Sequence, residues 1–161
     1  MSTIVRDAVP ADAPGVAAVF EPYVRDSVVT FETDPPSVAA WESRLAADLP
    51  FVVLTVDGVV KGYAYASPWR PKPAYRHTVE TTVYLSADAT GQGHGRTLMA
   101  RLLKRCKENG YRQAVAVVVA APDESSLRLH EALGYEEAGR LTKVGWKQGQ
   151  WLDTLLLQRE L

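Results

Sequence analysis

Asp57-Gly58 stands between two apolar runs, FVVLTV and VVKGYAYA. An Asp-Gly pair between strand-like segments is a strong hairpin signal, because the tight turn needs residues that accept positive φ. It pins an antiparallel pair, Phe51–Val56 and Val59–Ala66, in the middle of a chain that otherwise mixes helical and strand patterns. Upstream, Thr3 to Ala8 reads as a strand. Pro10-Ala11-Asp12 starts a helix with Val16, Val19, Phe20 and Tyr23 at helical spacing. Asp34-Pro35-Pro36 breaks the chain, and Ser37 suits the N-cap of a second helix carrying Val38, Trp41 and Leu45. Downstream, Ser67 to Tyr75 holds three prolines and reads as a loop, followed by a strand over Thr78–Ser86. A helix over Gly95–Asn109 carries Leu98, Met99, Leu102, Leu103 and Cys106 on one stripe and ends at Gly110. Ala114–Val119 reads as a strand buried on both faces. Asp123 begins a helix through Leu133, stopped by Gly134, and Tyr135–Val144 and Trp151–Gln158 close as strands. The order β-α-α-β-β-β-α-β-α-β-β, with its antiparallel middle, defines an α+β (mixed α/β) domain rather than a doubly wound sheet.

The 161 residues suit one domain, 1–161, with a substantial core. No linker, repeat or low-complexity tract divides them. A formal net charge of -1 gives no electrostatic reason to expect nucleic acid or an anionic membrane as partner. The first residues, MSTIVRDAVPADA, lack the basic-then-apolar pattern of a signal peptide, and no apolar run is long enough to span a bilayer. A single cysteine, Cys106, rules out an intrachain disulfide and is compatible with a reducing compartment. A cytoplasmic protein is expected.

The run TVETTVYLSADATGQGHGRTL, Thr78 to Leu98, carries the chemistry. Gly91, Gly93 and Gly95 lead directly into a helix. A glycine-rich turn at a helix N-terminus offers bare N–H groups to an anion, and the helix dipole favours negative charge there. A phosphate-bearing ligand is one reading, and a flexible surface turn the other. No Gly-Lys-Ser/Thr follows, which excludes the triphosphate P-loop. The third glycine of a dinucleotide fingerprint would fall at Arg96, which excludes that as well.

The same stretch resembles the pyrophosphate loop of the GNAT superfamily of N-acetyltransferases, Gln/Arg-x-x-Gly-x-Gly/Ala. Gly93 and Gly95 fill the small positions, and Thr90 stands where the family usually has Gln or Arg. DESSLRLHEALGY, Asp123 to Tyr135, resembles the family's second coenzyme-contacting helix, with Asp123 at the usual Asn and Ser126 at the usual Ala. His130 stands at the position of a tyrosine that protonates the leaving thiolate in many members. Within the superfamily the chain is similar to the branch that acetylates phosphinothricin, methionine sulfoximine and methionine sulfone. The residues are VTFET (from Val29), GYAYASPWR (from Gly62), HTVETTVY (from His77), RLHEALGY (from Arg128) and VGWKQGQWLD (from Val144). The likeness implies a central, mostly antiparallel mixed sheet splayed between its fourth and fifth strands, with helices on both faces. It implies acetyl-CoA as donor, a small amine as acceptor, no metal, and a homodimer.

An ammonium acceptor must lose a proton before it attacks, and the tetrahedral oxyanion must be stabilised. The resemblance makes Glu80 the general base, where residue type alone leaves it either on a solvent face or pointing into a site. It assigns the coenzyme to Val83, Tyr84 and Leu85, mainly through backbone, and its pyrophosphate to Gly91, Gln92, Gly93, His94, Gly95 and Arg96. Asp123 and Ser126 join them, Asp123 being equally readable as a helix N-cap. His130 is a candidate acid for the thiolate or a core histidine satisfied by a carbonyl. Arg76 and His77 form a cationic pair suited to the acceptor's oxyanion groups, with Phe31 and Tyr75 as walls. Trp69, Lys72 and the Val144–Trp151 loop are weaker candidates, since such loops build the dimer interface in this branch. Cys106, on an apolar stripe near a helix C-terminus, reads as core rather than as an acyl carrier. Two other functions compete: acetylation of a protein or peptide amine, and coenzyme-A sensing without turnover.

Overall fold

A computed structural model describes all 161 residues. Its elements are β1 (Thr3–Asp7), α1 (Ala13–Asp26, entered through a 3-10 turn at Pro10–Asp12), α2 (Val38–Ala46), β2 (Phe51–Val56), β3 (Val59–Pro68) and β4 (Thr78–Leu85). Then follow α3 (His94–Glu108), β5 (Gln113–Val119), α4 (Ser125–Ala132), β6 (Glu136–Lys147) and β7 (Gln150–Glu160). The seven strands form one sheet in the order β1-β2-β3-β4-β5-β7-β6. The Asp57-Gly58 turn makes the hairpin, with φ of 49° and 81°. Ser37 caps α2 by accepting from the Ala40 amide at 3.1 Å.

The period-2 alternation of the central strands splits the core into two layers. Phe51, Val53 and Tyr63 pack against Val16, Phe20 and Trp41 of α1 and α2. Val52, Leu54, Ala64 and Ala66 pack against Leu98, Met99, Leu102, Leu103 and Cys106 of α3. Burial pushes the Cys106 thiol up to about 12, so it carries no thiolate at neutral pH.

All neighbouring strands are antiparallel except β4 and β5. Those two pair in parallel only from Thr78–Gln113 to Glu80–Val115, and then separate. The expected splay is therefore present, and Glu80 sits at its vertex. It also corrects one expectation. β5 is buried over Ala114–Ala116, but Val117 is 40% exposed, because the strand that would have covered it has left.

The C-terminal strands are longer than their sequence pattern. β6 runs to Lys147 and turns at Gln148-Gly149, so the expected loop after Val144 is largely strand. Its register against β7 shifts between Leu141 and Gly145.

Candidate active site

The splay opens a cleft of about 830 Å³ that crosses the molecule from the α3–α4 side of β4 to the α1–α2 side. Strand parity decides which residue faces where. Val83 packs with the α3 layer and Tyr84 with the α1–α2 layer. Glu80 and Thr82 share the face of Tyr84.

On the α3 side, the first intrahelical bond of α3 runs from the Thr97 amide to the Gly93 carbonyl at 3.2 Å. The amides of His94, Gly95 and Arg96 thus have no acceptor within the helix. Gly91 and Gly93 adopt φ of 73° and 79°, and a Cβ at either would meet no atom within 4 Å. The loop is open on the side that an anion would take, and a pyrophosphate fits this donor set.

Gly95 plays a different part. It lies in the first turn of α3, and a Cβ there would stand 3.1 Å from Leu129 Cδ2 of α4. Its bareness sets how closely the two helices approach. The side chain of Gln92 turns back to the Asp88 carbonyl at 3.3 Å and does not line the cleft, which corrects its assignment to the coenzyme through that group. Thr90 donates to the Ala87 carbonyl at 3.0 Å, so this departure from the family pattern braces a local turn.

The backbone of β4 carries the next part of the site. Ser86 donates to the Lys61 carbonyl at 2.8 Å. By ladder alternation Tyr84 and Thr82 are also spent on β3, while Thr81, Val83 and Leu85 turn toward the splay. The Leu85 carbonyl is taken by the Tyr23 hydroxyl. Val83 and the Leu85 amide are left as the backbone groups of this stretch facing the opening. Tyr84 contributes no free backbone group, and its ring lies edge-on to Phe20 at 4.9 Å. This narrows the expected backbone contacts from three residues to Val83 and Leu85.

On α4, Asp123 accepts from the Ser125 amide at 2.9 Å and lines the cleft, as does Ser126. His130 is 3% exposed. Its Nδ1 lies 2.7 Å from the Ser126 carbonyl, which can only accept, so Nδ1 carries the hydrogen. Nε2 has no partner, and burial pushes the imidazole below its ordinary value. At neutral pH the ring is uncharged and presents a lone pair. Of the two readings of His130, this geometry favours the core histidine satisfied by a carbonyl over the acid for the thiolate. A stability effect follows. Between the folded pKa and about 6.5 the unfolded chain binds a proton that the folded chain does not, so this group's contribution falls as pH drops through that window. Replacing His130 with Asn should flatten that part of the profile of thermal midpoint against pH between 7 and 5.5. An unchanged profile would show that another group controls it.

Glu80 lines the cleft with no ion-pair partner. Burial raises its carboxyl, and the charge of Arg70 partly offsets this. Tyr65, Phe31 and Arg44 line the same half. Tyr75, Arg76 and His77 do not. All three are exposed, Arg76 folds back on the Pro73 carbonyl at 3.2 Å, and the His77 carbonyl accepts from the Arg112 amide at 2.8 Å to start β5. The expected cationic pair is therefore spent outside the cleft. Sequence reasoning missed Arg44, whose guanidinium lies 4.6 Å over the Trp41 ring and has no carboxylate partner. Its signal was present: Trp41 and Arg44 are three apart on one helix and share a face. Thr81 and Tyr135 were missed as well. Their hydroxyls meet at 2.7 Å and tie β4 to the end of α4.

A parallel strand pair that opens beside a helix N-terminus with free amides, with a carboxylate at the vertex, is the arrangement that the resemblance to the N-acetyltransferases implies. The acetyltransferase (GNAT) family model matches residues 16–135, and the chain belongs to that family. It is 43% identical to a phosphinothricin N-acetyltransferase of Alcaligenes faecalis, over 98% of this chain and 81% of that one. It is 35% identical to an L-methionine sulfoximine/L-methionine sulfone acetyltransferase of Pseudomonas aeruginosa, over 100% of this chain and 96% of that one. A crystal structure of a phosphinothricin acetyltransferase from Sinorhizobium meliloti in complex with AcCoA superposes with a TM-score of 0.93 at 41% identity, covering 100% of this chain and 89% of that one.

Proposed function

We propose that this protein transfers acetyl from acetyl-CoA to the amino group of a small amino-acid analogue of the phosphinothricin, methionine sulfoximine or methionine sulfone type. The observation that carries this is Glu80, a half-buried carboxylate without an ion-pair partner at the vertex of the splay. Bound acetyl-CoA supplies the electrophilic thioester carbonyl. The residues of the chain do the rest, in a ternary complex. The free amides of His94, Gly95 and Arg96 hold the pyrophosphate. Val83 offers its N–H toward the thioester oxygen. Glu80 takes a proton from the ammonium, directly or through water, and the freed amine attacks; the tetrahedral intermediate collapses with loss of the C–S bond, and the nitrogen's second proton passes through solvent to the departing thiolate. His130, with its hydrogen on Nδ1, donates nothing to the sulfur; Nε2 can only accept from the S–H once the thiol has formed. The reading takes 1–161 as one domain. It also places a homodimer in the cytoplasm. In support of the dimer, the Trp146 and Trp151 rings lie 4.8 Å apart, tilted at 55°, while remaining 57% and 60% exposed. No helix is long and apolar enough to cross a membrane.

Thiol release from acetyl-CoA tests the reading directly. Phosphinothricin, methionine sulfoximine and methionine sulfone should be turned over in preference to ordinary amino acids and a short peptide. Preference for the peptide, or coenzyme binding with no turnover at all, would sink it.

Arg44 is the cation available to an acceptor's carboxylate or phosphinyl oxygens. Arg44→Gln should raise the acceptor KM about ten- to a hundredfold, the scale of one charged hydrogen bond. The acetyl-CoA KM should not move. Steady-state kinetics with each substrate varied in turn checks the split.

A further inference from the structure

Lys147 is a buried lysine with no carboxylate at ion-pair distance. It is 8% exposed, and its ammonium donates to the Thr30 carbonyl at 2.8 Å. Two residues earlier, the bare face of Gly145 lies on the ring of Phe31, where a Cβ would come within 2.2 Å of Cζ. Both contacts land on one short piece of chain, the connection between α1 and α2.

That connection, Ser27 to Ser37, contains no helix or strand. Its backbone amides at the tip bond only within the segment, Val29 to Ser27 Oγ and Glu32 to Thr30 Oγ1, both at 3.2 Å, while the Thr30 side chain also bonds Tyr84 of β4. Yet it gives Val29, Thr30, Phe31 and Glu32 to the acceptor half of the cleft. A segment of this kind holds a wall in place only if something outside it fixes the backbone. Lys147 and Gly145 supply that, from 117 residues away for the Lys147–Thr30 bond.

The reach of β6 to this loop has its own cause. Between Leu141 and Gly145 the strand gains extra residues relative to β7, and Lys143 takes a φ of 53°. Asp153 of β7 holds the distortion, accepting from the Lys143 amide at 2.7 Å and from Arg140 at 2.7 Å. Such bulges bend a strand and re-aim its side chains. Here the residues beyond the bulge are Gly145 and Lys147.

We infer that the β6–β7 hairpin is an internal clamp on the acceptor loop, with Lys147 a positioning residue that fixes the Phe31 wall through the Thr30 carbonyl. The VGWKQGQWLD segment then has a role inside its own chain. The clamp sets the acceptor side of the cleft and leaves the coenzyme side alone. Its meaning for specificity rests on the proposed amine acceptor; the clamp itself does not.

The test uses the full chain with Lys147→Met, Lys147→Arg and Gly145→Ala. Amide hydrogen exchange over residues 28–33 reads the clamp without any substrate. Lys147→Met should speed that exchange about tenfold or more, the loss of one charged hydrogen bond, with exchange in α3 unchanged. It should raise the acceptor KM by a similar factor while the acetyl-CoA Kd by calorimetry stays put. Lys147→Arg, which keeps a donor, should recover part of both. Gly145→Ala must displace the Phe31 ring and should also raise the acceptor KM. Unchanged exchange over 28–33 in Lys147→Met would overturn the clamp. Faster exchange with an unchanged acceptor KM would overturn its bearing on the acceptor. If Lys147→Met does not fold, Gly145→Ala and Lys147→Arg carry the same comparison. If the parent protein turns over no amine, the proposed function fails while the exchange data still decide the clamp.

Discussion

Glu80→Gln should lower kcat about a hundred- to ten-thousandfold, the range expected for loss of a positioned general base. The acetyl-CoA Kd should stay within about twofold. The substitution keeps shape and removes only the negative charge. No hydrogen bond or ion pair of the fold is made by this side chain, so nothing else is lost. The pH dependence sharpens the expectation. Burial raises the Glu80 carboxyl and Arg70 works against it, leaving the group closer to neutrality than a free glutamate. In the proposed mechanism its ionised form is the base, so kcat/KM for the amine should rise with pH as Glu80 deprotonates. In Glu80→Gln that limb should vanish. Stability should move the other way. A carboxyl whose folded pKa is raised loses its contribution as pH climbs through that pKa, so the neutral variant should be at least as stable at pH 8. Kinetics and calorimetry on one preparation check all of this. Equal losses in kcat and coenzyme affinity would show that Glu80 supports the site rather than performing the proton transfer.

The residues that were legible in the sequence are those whose role is set by near neighbours. Asp57-Gly58 needs only its own φ angles to make a hairpin, and the α3 stripe needs only helical period. The α1–α2 and α3 layers followed from alternation in β2 and β3. The misreadings came where distant parts of the chain decide. Val115 to Val119 is one apolar run, yet β4 stops covering it after Glu80, and no local feature of β5 records that departure. Arg76 and His77 lie close to Glu80 in sequence, but β4 begins at Thr78 and the turn before it leads away from the cleft. Arg44 belongs to a different helix and reaches the cleft through α2 packing on Tyr63. Lys147 finds Thr30 across nearly the whole chain. His130 has Nδ1 satisfied by a carbonyl, as in a core histidine, while Nε2 is buried without a partner.

The three glycines make the sharpest case, because their alternate spacing suggests one shared purpose and the structure gives two. Gly91 and Gly93 are bare for conformation, with positive φ and open space around a would-be Cβ. Gly93→Ala should therefore cost about 1–2 kcal/mol of left-handed strain, read as a fall of about 2–8 °C in thermal midpoint. Gly95 is bare for packing. A single Cβ at 3.1 Å from Leu129 Cδ2 meets the flexible end of a side chain, so Gly95→Ala should be nearly neutral, helped by better helix propensity. Gly95→Val adds two further methyls in the first turn of α3. They can be accommodated only by pushing Leu129, and with it α4, away from the helix N-terminus. Overpacking of this kind costs about 1–3 kcal/mol. Its larger effect should fall on binding. In the proposed reading the free amides of α3 and the Ser126 region of α4 are the two banks of the coenzyme half, and moving one bank by a fraction of an ångström would spoil both sets of bonds. The acetyl-CoA Kd should rise about ten- to a hundredfold, the scale of one or two charged hydrogen bonds. The acceptor KM at saturating coenzyme should change little. If Gly95→Val instead binds acetyl-CoA as the parent does, the coenzyme does not lie between α3 and α4, and the free amides of His94 to Arg96 face some other anion.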